Sequence, residues 1–315
     1  MNNCLICYKP LDHRAGRYHP RCCQRLFGQH TAPELPYTYD ELKDIAKKVV
    51  RSRVSVPGVQ AKLSLSLDSS IRRNSRFTLV GLWGDYILKP PLPAYPFMPE
   101  IEHLTMYLAT LFNIETVPHG LILLRSGEIA FITHRIDRMP DGEKLHMEDM
   151  CQLSERLTED KYRGSMEQIG KIIKKYSSNP LFDCIRFFDV ALFSFLTGNA
   201  DMHLKNFSLI YPVDDMVKLA PAYDLLATRL LIPEKDDPEE MALTINGRKR
   251  RLDKKDFLSL AENLGLKEKQ VTNVFKRFSK AMSKAYDAIG YGFLPEKRVK
   301  EYLQLLEERA ERLML

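Results

Sequence analysis

The first part of the chain is dominated by segments in which apolar and polar residues alternate, the pattern of a strand with one buried face. Between residues 62 and 68, for example, Leu63, Leu65 and Leu67 fall on the same face. The strand patterns lie at 62–68, 77–80, 85–89, 117–124 and 128–134. A helical pattern at 100–112 interrupts them. The first 136 residues are therefore predicted to be sheet-rich with one helix.

The rest of the chain changes to the period of amphipathic helices. Helical patterns lie at 166–176, 181–197, 254–264, 268–288 and 295–313, with short strand patterns at 206–211 and 216–220. A sheet-rich lobe followed by a helical lobe predicts an α+β fold with a cleft between the lobes, the usual place for a small-molecule site. The predicted domains are a cysteine-rich module with a linker helix (1–50), a sheet-rich lobe (51–136) and a helical lobe (137–315).

The composition is that of an ordinary globular protein and points away from membrane-spanning and secreted classes. The 315 residues are 44% apolar and 28% charged, with a formal net charge of +6. Because no apolar run could span a bilayer and the first residues lack signal-peptide features, we expect a cytoplasmic protein without a membrane partner. The charge indicates nucleic-acid binding only weakly, and the basic run at 247–255 is predicted to be a solvated turn and helix start.

The stretch GNADMHLKN, at 198–206, places polar and charged side chains directly after a strongly apolar helix. An ordinary alternative is a Gly198 helix cap followed by a solvated loop. Protein kinases, however, place a catalytic Asp five residues before a metal-binding Asn, with a second metal-binding Asp beyond it. Asp201, Asn206 and Asp224 follow this order, with a short predicted hairpin before Asp224. Their oxygen atoms suit a hard cation such as Mg²⁺.

Two residues of the sheet-rich lobe extend this similarity to the order of functional residues in protein kinases. Lys89 ends a predicted strand, and Glu102 lies in the helix that follows. In kinases such a lysine holds the ATP phosphates and a helix carboxylate orients the lysine. Taken separately, Lys89 is better explained as a surface lysine and Glu102 as an acid near a helix start. Their order on a strand and a helix before Asp201 favours an ATP phosphotransferase.

Seven segments give the chain a more specific likeness. They are RVSVPGVQAKLSL, DYILKP, FITHRIDR, LHMEDMCQ, DKYRG, GNADMHLKNFSL and LAPAYDLLAT. From about residue 54 to the C-terminus, the chain resembles the HipA-like Ser/Thr kinases, toxins of bacterial toxin-antitoxin systems. The resemblance implies a two-lobed protein-kinase-like fold with ATP and Mg²⁺. It implies that Asp201 accepts the substrate hydroxyl proton, that Asn206 and Asp224 hold the metal, and that Lys89 holds the phosphates.

The resemblance also assigns residues around the nucleotide. The segment SVPGVQAK corresponds to the loop that covers the phosphates in this family, and Ser55 matches its autophosphorylated serine. Phosphate on Ser55 would repel the nucleotide phosphates unless the loop moved away. We expect His203 to hold the catalytic loop and Lys205 to neutralise the transferred phosphoryl group during catalysis. The residues expected near the cofactor are Ser55, Val56, Gly58, Gln60, Lys62, Lys89, Glu102, His203, Asn206 and Asp224.

The short stretch before Ser55 makes the chain most similar to the HipT-type kinases of three-gene HipBST systems. There a separate small protein corresponds to the missing N-terminal subdomain. The expected partners are a small antitoxin of this kind, a helix-turn-helix antitoxin through which DNA is contacted, and a protein substrate, with aminoacyl-tRNA synthetases as a reasonable class. Two alternatives stay open, a small-molecule kinase and a catalytically silent nucleotide-binding scaffold, although a scaffold does not need an intact Asp201, Asn206 and Asp224.

The first 23 residues contain four of the six cysteines, a clustering that favours a metal site in a cytoplasmic protein. Cys4 and Cys7 form one Cys-x-x-Cys pair. His19 and Cys22 have suitable spacing for the other two ligands of tetrahedral Zn²⁺, although Cys23 directly follows. The sequence therefore predicts a structural zinc site at Cys4, Cys7, His19 and Cys22, with free thiols as the open alternative.

Overall fold

The computed structural model of the chain describes residues 3–12, 16–52, 61–68, 75–81, 84–139, 143–212 and 216–315. These residues form two compact units. The first consists of Met1–His103 with Val117–Gly142, and the second of Leu104–Thr116 with Glu143–Leu315. The domain limits given above stay predictions.

The first unit is built around an antiparallel sheet of five strands. The strands are β1 (Leu63–Asp68), β2 (Arg76–Val80), β3 (Tyr86–Lys89), β4 (His119–Leu123) and β5 (Ile129–His134). Their order is β2-β1-β3-β5-β4, and the five predicted strands are confirmed. The helices of this part of the chain are α1 (Pro20–Phe27), α2 (Tyr39–Ser52) and α3 (Met98–Leu111), which continues into the second unit.

Apart from the predicted linker helix, the expectation of one helix in the first 136 residues is wrong, because α1 also precedes the sheet. With eight residues, α1 is too short to give a clear helical period. Its ends nevertheless have typical signals, since Pro20 begins the helix and Gly28 follows it in the left-handed conformation at φ 70°. α2 lies where the linker helix is predicted.

The core of the first unit lies between α1 and the sheet. Alternate residues of β1 and β3, among them Leu65 and Leu88, are buried against Leu26 and Phe27 of α1. Cys23 belongs to the same apolar core and is 2% exposed. In the pairing of β3 with β5, Lys89 stands opposite Phe131. This register places the predicted phosphate-binding lysine at the end of a buried strand.

The N-terminal segment is attached to β4 by hydrogen bonds and close packing. The backbone N–H of Leu121 donates to the Leu5 carbonyl at 2.9 Å, and the Tyr18 hydroxyl donates to the Leu121 carbonyl at 3.1 Å. A Cβ atom at Gly120 would approach Ile6 Cγ1 to 2.8 Å, so this contact requires glycine. The cysteine-rich segment is therefore part of the first unit's packed structure.

The second unit contains a small sheet and most of the helices. Its elements are β6 (His146–Asp149), α4 (Met150–Leu153), α5 (Met166–Tyr176), α6 (Pro180–Leu196), β7 (Ser208–Tyr211), β8 (Lys218–Leu219), α7 (Lys254–Asn263), α8 (Glu268–Tyr291) and α9 (Glu296–Leu313). The strands pair in the order β6-β7-β8. The five predicted helices are confirmed, whereas β6 and α4 are short and have no apolar period to reveal them.

α6 is the central helix of the second unit and is buried on nearly all sides. Its aromatic rings pack against rings of several other elements, such as Phe195 against Phe257, whose centroids are 5.2 Å apart. The helix ends at Leu196 with Thr197 as its C-cap, and Gly198, the predicted cap residue, follows with φ 68°. A Cβ atom there would lie 2.8 Å from Leu305 Cδ2, so glycine serves both the turn and the packing. In the described residues, every helix is too short or too polar to cross a bilayer.

Two buried histidines of the first unit should make its stability depend on pH. The Nδ1 atoms of His103 and His119 are 2.9 Å apart, which requires one ring to donate and the other to accept. Burial lowers the pKa of His103 well below its ordinary value and lowers the pKa of His119 to about 3. Both rings are therefore neutral in the folded protein at pH 7.

Because these pKa values are lower in the folded state than in the unfolded state, the unfolded chain binds more protons below pH 6.5. Stability should fall between pH 6.5 and 4, by up to about 1.4 kcal/mol per pH unit for each histidine. Urea unfolding at pH 7, 6 and 5 measures this effect. His119→Gln should reduce the slope, and His146→Gln, at an exposed histidine, should leave it unchanged. Equal stability at pH 7 and 5 would contradict the prediction.

Candidate active site

The loop after α6 holds the backbone of Asp201 through its own polar groups. The Nδ2 of Asn206 and the backbone N–H of His203 both donate to the Asp201 carbonyl, at 2.9 and 2.8 Å. Asn206 is buried in a short 3₁₀ turn, whereas Asp201 is exposed. The two residues with kinase spacing are thus in direct contact, and the loop leaves the Asp201 carboxylate accessible.

Tyr162 is the partner of this carboxylate. Its hydroxyl donates to Asp201 Oδ1 at 2.7 Å, and its ring lies edge-on to His203 with centroids 5.1 Å apart. Burial and the hydrogen bond to Asp201 raise the pKa of Tyr162, so the hydroxyl stays protonated at neutral pH. The sequence assigned Tyr162 no role, although it lies in the DKYRG segment that contributes to the family resemblance.

His203 is buried within the loop and is neutral at pH 7. Burial lowers the pKa of His203 to about 4, although the carboxylates of Asp201 and Asp224 act in the opposite direction. A neutral ring agrees with a role in holding the loop rather than in carrying charge.

Asp224 follows the β7–β8 hairpin, and the tyrosine before it is bonded to the loop. The Tyr223 hydroxyl lies 2.6 Å from Ser208 Oγ and donates to the Lys205 carbonyl at 3.1 Å. Asp224 itself has φ 55°, in the left-handed region that non-glycine residues rarely adopt. Such backbone conformations are concentrated at functional sites, where the surrounding structure holds them in place.

Lys205 is paired with an acid that the sequence did not single out. Its Nζ lies 2.7 Å from Asp149 Oδ2, and the same aspartate caps α4 by accepting from the Gln152 backbone N–H at 2.9 Å. Asp149 lies in the segment LHMEDMCQ, another part of the family resemblance. The ion pair fixes the position of the lysine within the second unit.

Lys89 and Glu102 form a buried ion pair in the first unit. Lys89 Nζ bonds to Glu102 Oε1, and the two side chains are 5% and 1% exposed. The ammonium also lies 5.3 Å from the centre of the Phe131 ring, a cation–π distance. The structure therefore brings together the lysine and the carboxylate that kinase chemistry requires to be paired.

Most of the predicted phosphate-covering loop lies outside the residues that the structure describes. Ser55, Val56, Gly58 and Gln60 lie outside the described residues. Lys62 is described, and it is exposed at the residue before β1.

The cysteine-rich segment brings four predicted metal ligands together. The ligand atoms of Cys4, Cys7, His19 and Cys22 all lie within 4.8 Å of one another. The Nε2 of His19 is 3.0 Å from the Pro10 carbonyl, and its Nδ1 is 3.4 Å from Cys7 Sγ. Because a carbonyl can only accept, Nε2 carries the proton and Nδ1 is left to face the thiols. Cys23 lies in the apolar core instead, so Cys22 is the one of the two adjacent cysteines that faces the other three candidate ligands.

A row of rings connects this cluster to the buried ion pair. Tyr8, next to Cys7, is stacked on His103 at 4.9 Å between centroids. His103 contacts His119, which is stacked on Phe131 at 6.0 Å. Phe131 is the ring over which Lys89 lies. The four ligands and the Lys89–Glu102 pair are therefore joined by continuous packing within one unit.

Comparison with known proteins identifies the family of this chain. A family model described as the HipA-like C-terminal domain matches residues 54–286. The chain belongs to the HipA-like family. This confirms the resemblance on which the residue assignments rest, at the level of the family.

Relatives of the HipA-like chain differ in length. A Haemophilus influenzae protein named "Putative kinase" is 30% identical over 341 residues, covering 98% of this chain and 96% of the relative. The serine/threonine-protein kinase toxin HipA of Shewanella oneidensis is 26% identical over 215 residues, covering 62% of this chain and 47% of the toxin. The chain therefore spans nearly all of the first relative and about half of the second.

A solved structure shows the fold. It is described as the Shewanella oneidensis toxin-antitoxin system HipA, HipB and operator DNA complex, and one of its chains matches with a TM-score of 0.68 at 22% identity. The match covers 85% of this chain and 71% of the other. It supports the predicted mixed α+β, protein-kinase-like fold with a sheet-rich and a helical part.

Proposed function

We propose that the protein is an ATP-dependent Ser/Thr protein kinase and the toxin of a bacterial toxin-antitoxin system. The observation that carries the proposal is the bond from the Asn206 side chain to the Asp201 carbonyl at 2.9 Å, in a loop with kinase spacing. The buried Lys89–Glu102 pair and the names of the relatives support it independently.

The residues fit binding of ATP with Mg²⁺. Asn206 uses Nδ2 on the Asp201 carbonyl, so Oδ1 is the atom that it can offer to a cation. With the Asp224 carboxylate it supplies the oxygen ligands that Mg²⁺ prefers. Mg²⁺ bound to ATP would neutralise charge on the phosphates. Lys89 would hold phosphate oxygens while Glu102 keeps its ammonium in place.

Asp201 would accept the proton of the acceptor hydroxyl, because its carboxylate is exposed while its backbone is fixed. Lys205 would neutralise the transferred group, and Asp149 would hold that lysine in position. His203 would keep the loop in shape as a neutral ring. The nucleotide-covering roles of Ser55, Val56, Gly58, Gln60 and Lys62, and the autophosphorylation of Ser55, rest on the family resemblance.

The partners are proposed by the same resemblance. A solved relative is a complex of HipA, HipB and operator DNA, which supports an antitoxin partner. The helix-turn-helix antitoxin as the protein that contacts DNA rests on the family resemblance. We propose a HipT-type, three-gene arrangement in the cytoplasm, with a separate small antitoxin as a partner. An aminoacyl-tRNA synthetase is the proposed class of substrate.

The kinase proposal is tested by incubating purified protein with γ-labelled ATP, Mg²⁺ and a bacterial lysate, beside Asp201→Ala. Labelled protein bands that are absent with the variant are expected. If no band exceeds that control, the protein-kinase proposal fails. A labelled small molecule would instead identify a small-molecule kinase, and nucleotide binding without any transfer would identify a silent scaffold.

For the cysteine-rich segment we propose a structural Zn²⁺ site. Three thiols and one imidazole form a donor set that zinc prefers, and the bond of His19 to the Pro10 carbonyl orients the imidazole as in known zinc sites. Because the segment is attached to β4, the metal would stabilise the first unit rather than a separate appendage.

Protein purified without chelator should contain about one equivalent of zinc, since a site with four protein ligands is closed and binds tightly. Chelation should lower the melting temperature. The neighbouring cysteines provide a matched pair for elemental analysis. Cys22→Ser should lose most of the zinc, whereas Cys23→Ser should keep it because Cys23 lies in the apolar core. Less than half an equivalent in the wild type, or equal loss in both variants, would count against the site.

A further inference from the structure

The hydrogen bond from Tyr162 to Asp201 is the contact of the candidate active site to which neither the family resemblance nor the comparisons give a role. The hydroxyl lies 2.7 Å from Oδ1 of Asp201. Asp201 is otherwise exposed, and its own loop holds only its backbone. Tyr162 is therefore the side chain that determines where this carboxylate points.

A carboxylate has two oxygen atoms, and one of them is sufficient to accept a proton from an acceptor hydroxyl. A hydrogen bond to Oδ1 restricts rotation of the carboxylate and leaves Oδ2 for the reaction. General base catalysis depends on this kind of placement, because the base must lie within hydrogen-bonding distance of the proton that it removes. A freely rotating aspartate would spend only part of its time in a productive orientation.

The segment that contains Tyr162 is itself fixed to the loop. The Leu204 backbone N–H donates to the Lys161 carbonyl at 3.1 Å, and the Tyr162 ring contacts His203. On the other side of the tyrosine, the Thr244 N–H reaches the Gly164 carbonyl at 3.4 Å. The ring is also covered by Lys161, whose Nζ is 4.9 Å from its centre. These contacts hold the hydroxyl at Oδ1 although the tyrosine is 43% exposed.

We propose that Tyr162 is a positioning residue for phosphoryl transfer, which holds Oδ1 of Asp201 so that Oδ2 faces the acceptor hydroxyl. In the step it serves, the acceptor oxygen bonds to the γ-phosphorus of ATP and its proton passes to Oδ2. The bond between that phosphorus and the β–γ bridging oxygen breaks, and ADP leaves with the electron pair. The inference rests on the proposed function, because it requires Asp201 to be the base.

Tyr162→Phe tests the proposal, because it removes the hydroxyl and keeps the ring against His203. We expect kcat to fall roughly tenfold, the loss expected for one hydrogen bond to a charged group, while KM for ATP and the melting temperature stay near those of the wild type. Tyr211→Phe is the matched control, since Tyr211 donates to a carboxylate of Glu148 at the same 2.7 Å but outside the loop. It should leave kcat unchanged.

A rescue variant separates positioning from folding. Tyr162→4-aminophenylalanine keeps a donor at the same place on the ring and should restore kcat to within a few-fold of the wild type. If Tyr162→Phe is as active as the wild type, the proposal is wrong while the kinase function stands. A faster Tyr162→Phe would mean that the hydroxyl competes with the acceptor, which also overturns it. If the wild type transfers no phosphate at all, the proposed function itself fails.

Discussion

Asp201→Asn should reduce phosphate transfer to protein roughly 10²- to 10⁴-fold, the usual contribution of a general base. The variant removes the proton acceptor but keeps the hydrogen bonds that hold residue 201. The amide keeps an oxygen that can accept from the Tyr162 hydroxyl, and the bond from Asn206 goes to the backbone carbonyl of residue 201. ATP affinity, measured by calorimetry with Mg²⁺, should therefore stay within about threefold of the wild type.

Asp160→Asn is the matched control for this prediction. Asp160 lies near Tyr162 in sequence, and its carboxylate pairs with the exposed Arg163 at 3.0 Å instead of with Asp201. It should transfer phosphate at the wild-type rate. An Asp201→Asn variant that retained more than a third of the wild-type rate would show that another group removes the acceptor proton.

Glu102→Gln should lower both stability and nucleotide affinity. The Lys89 side chain is 5% exposed, and Glu102→Gln replaces the charged carboxylate beside it by a neutral amide. Breaking a buried ion pair in this way costs about 3–5 kcal/mol. A fall in the free energy of urea unfolding and a weaker affinity for ATP are the expected results. Glu296→Gln breaks the exposed pair with Lys300 and should change neither measurement.

The combination with Lys89→Met distinguishes charge from packing. The double variant Lys89→Met/Glu102→Gln removes both charges of the pair, so it should regain part of the stability lost in Glu102→Gln. It should not regain ATP affinity, because the cation that holds the phosphates is gone. If the double variant is no more stable than Glu102→Gln, the loss comes from packing and the role given to the charge pair is wrong.

The long amphipathic elements were accessible to sequence reasoning because their pattern is local. α5 is a clear case, since its predicted and observed limits coincide at Met166 and Tyr176 and Ser165 caps its start. β6 was missed because the four residues HMED offer no apolar alternation and pair with β7 more than fifty residues later. The helix α1 was missed because eight residues cover little more than two turns.

The candidate site shows the same division between local and distant contacts. The Asp201–Asn206 spacing lies within one loop and could be recognised directly. Tyr162 and Asp149 reach that loop from 39 and 56 residues earlier, so only the fold brings them there. The choice between Cys22 and Cys23 needed α1, because consecutive helical residues point about 100° apart and only one can face His19.

The central claim is that Asp201 directs the transfer of phosphate from ATP to a protein hydroxyl. Phosphoamino-acid analysis tests it most directly, applied to lysate proteins that are labelled by the wild type and not by Asp201→Asn. Phosphoserine or phosphothreonine in those bands is the result that the account predicts. Label that appears equally with Asp201→Asn, or only in small molecules, would contradict it.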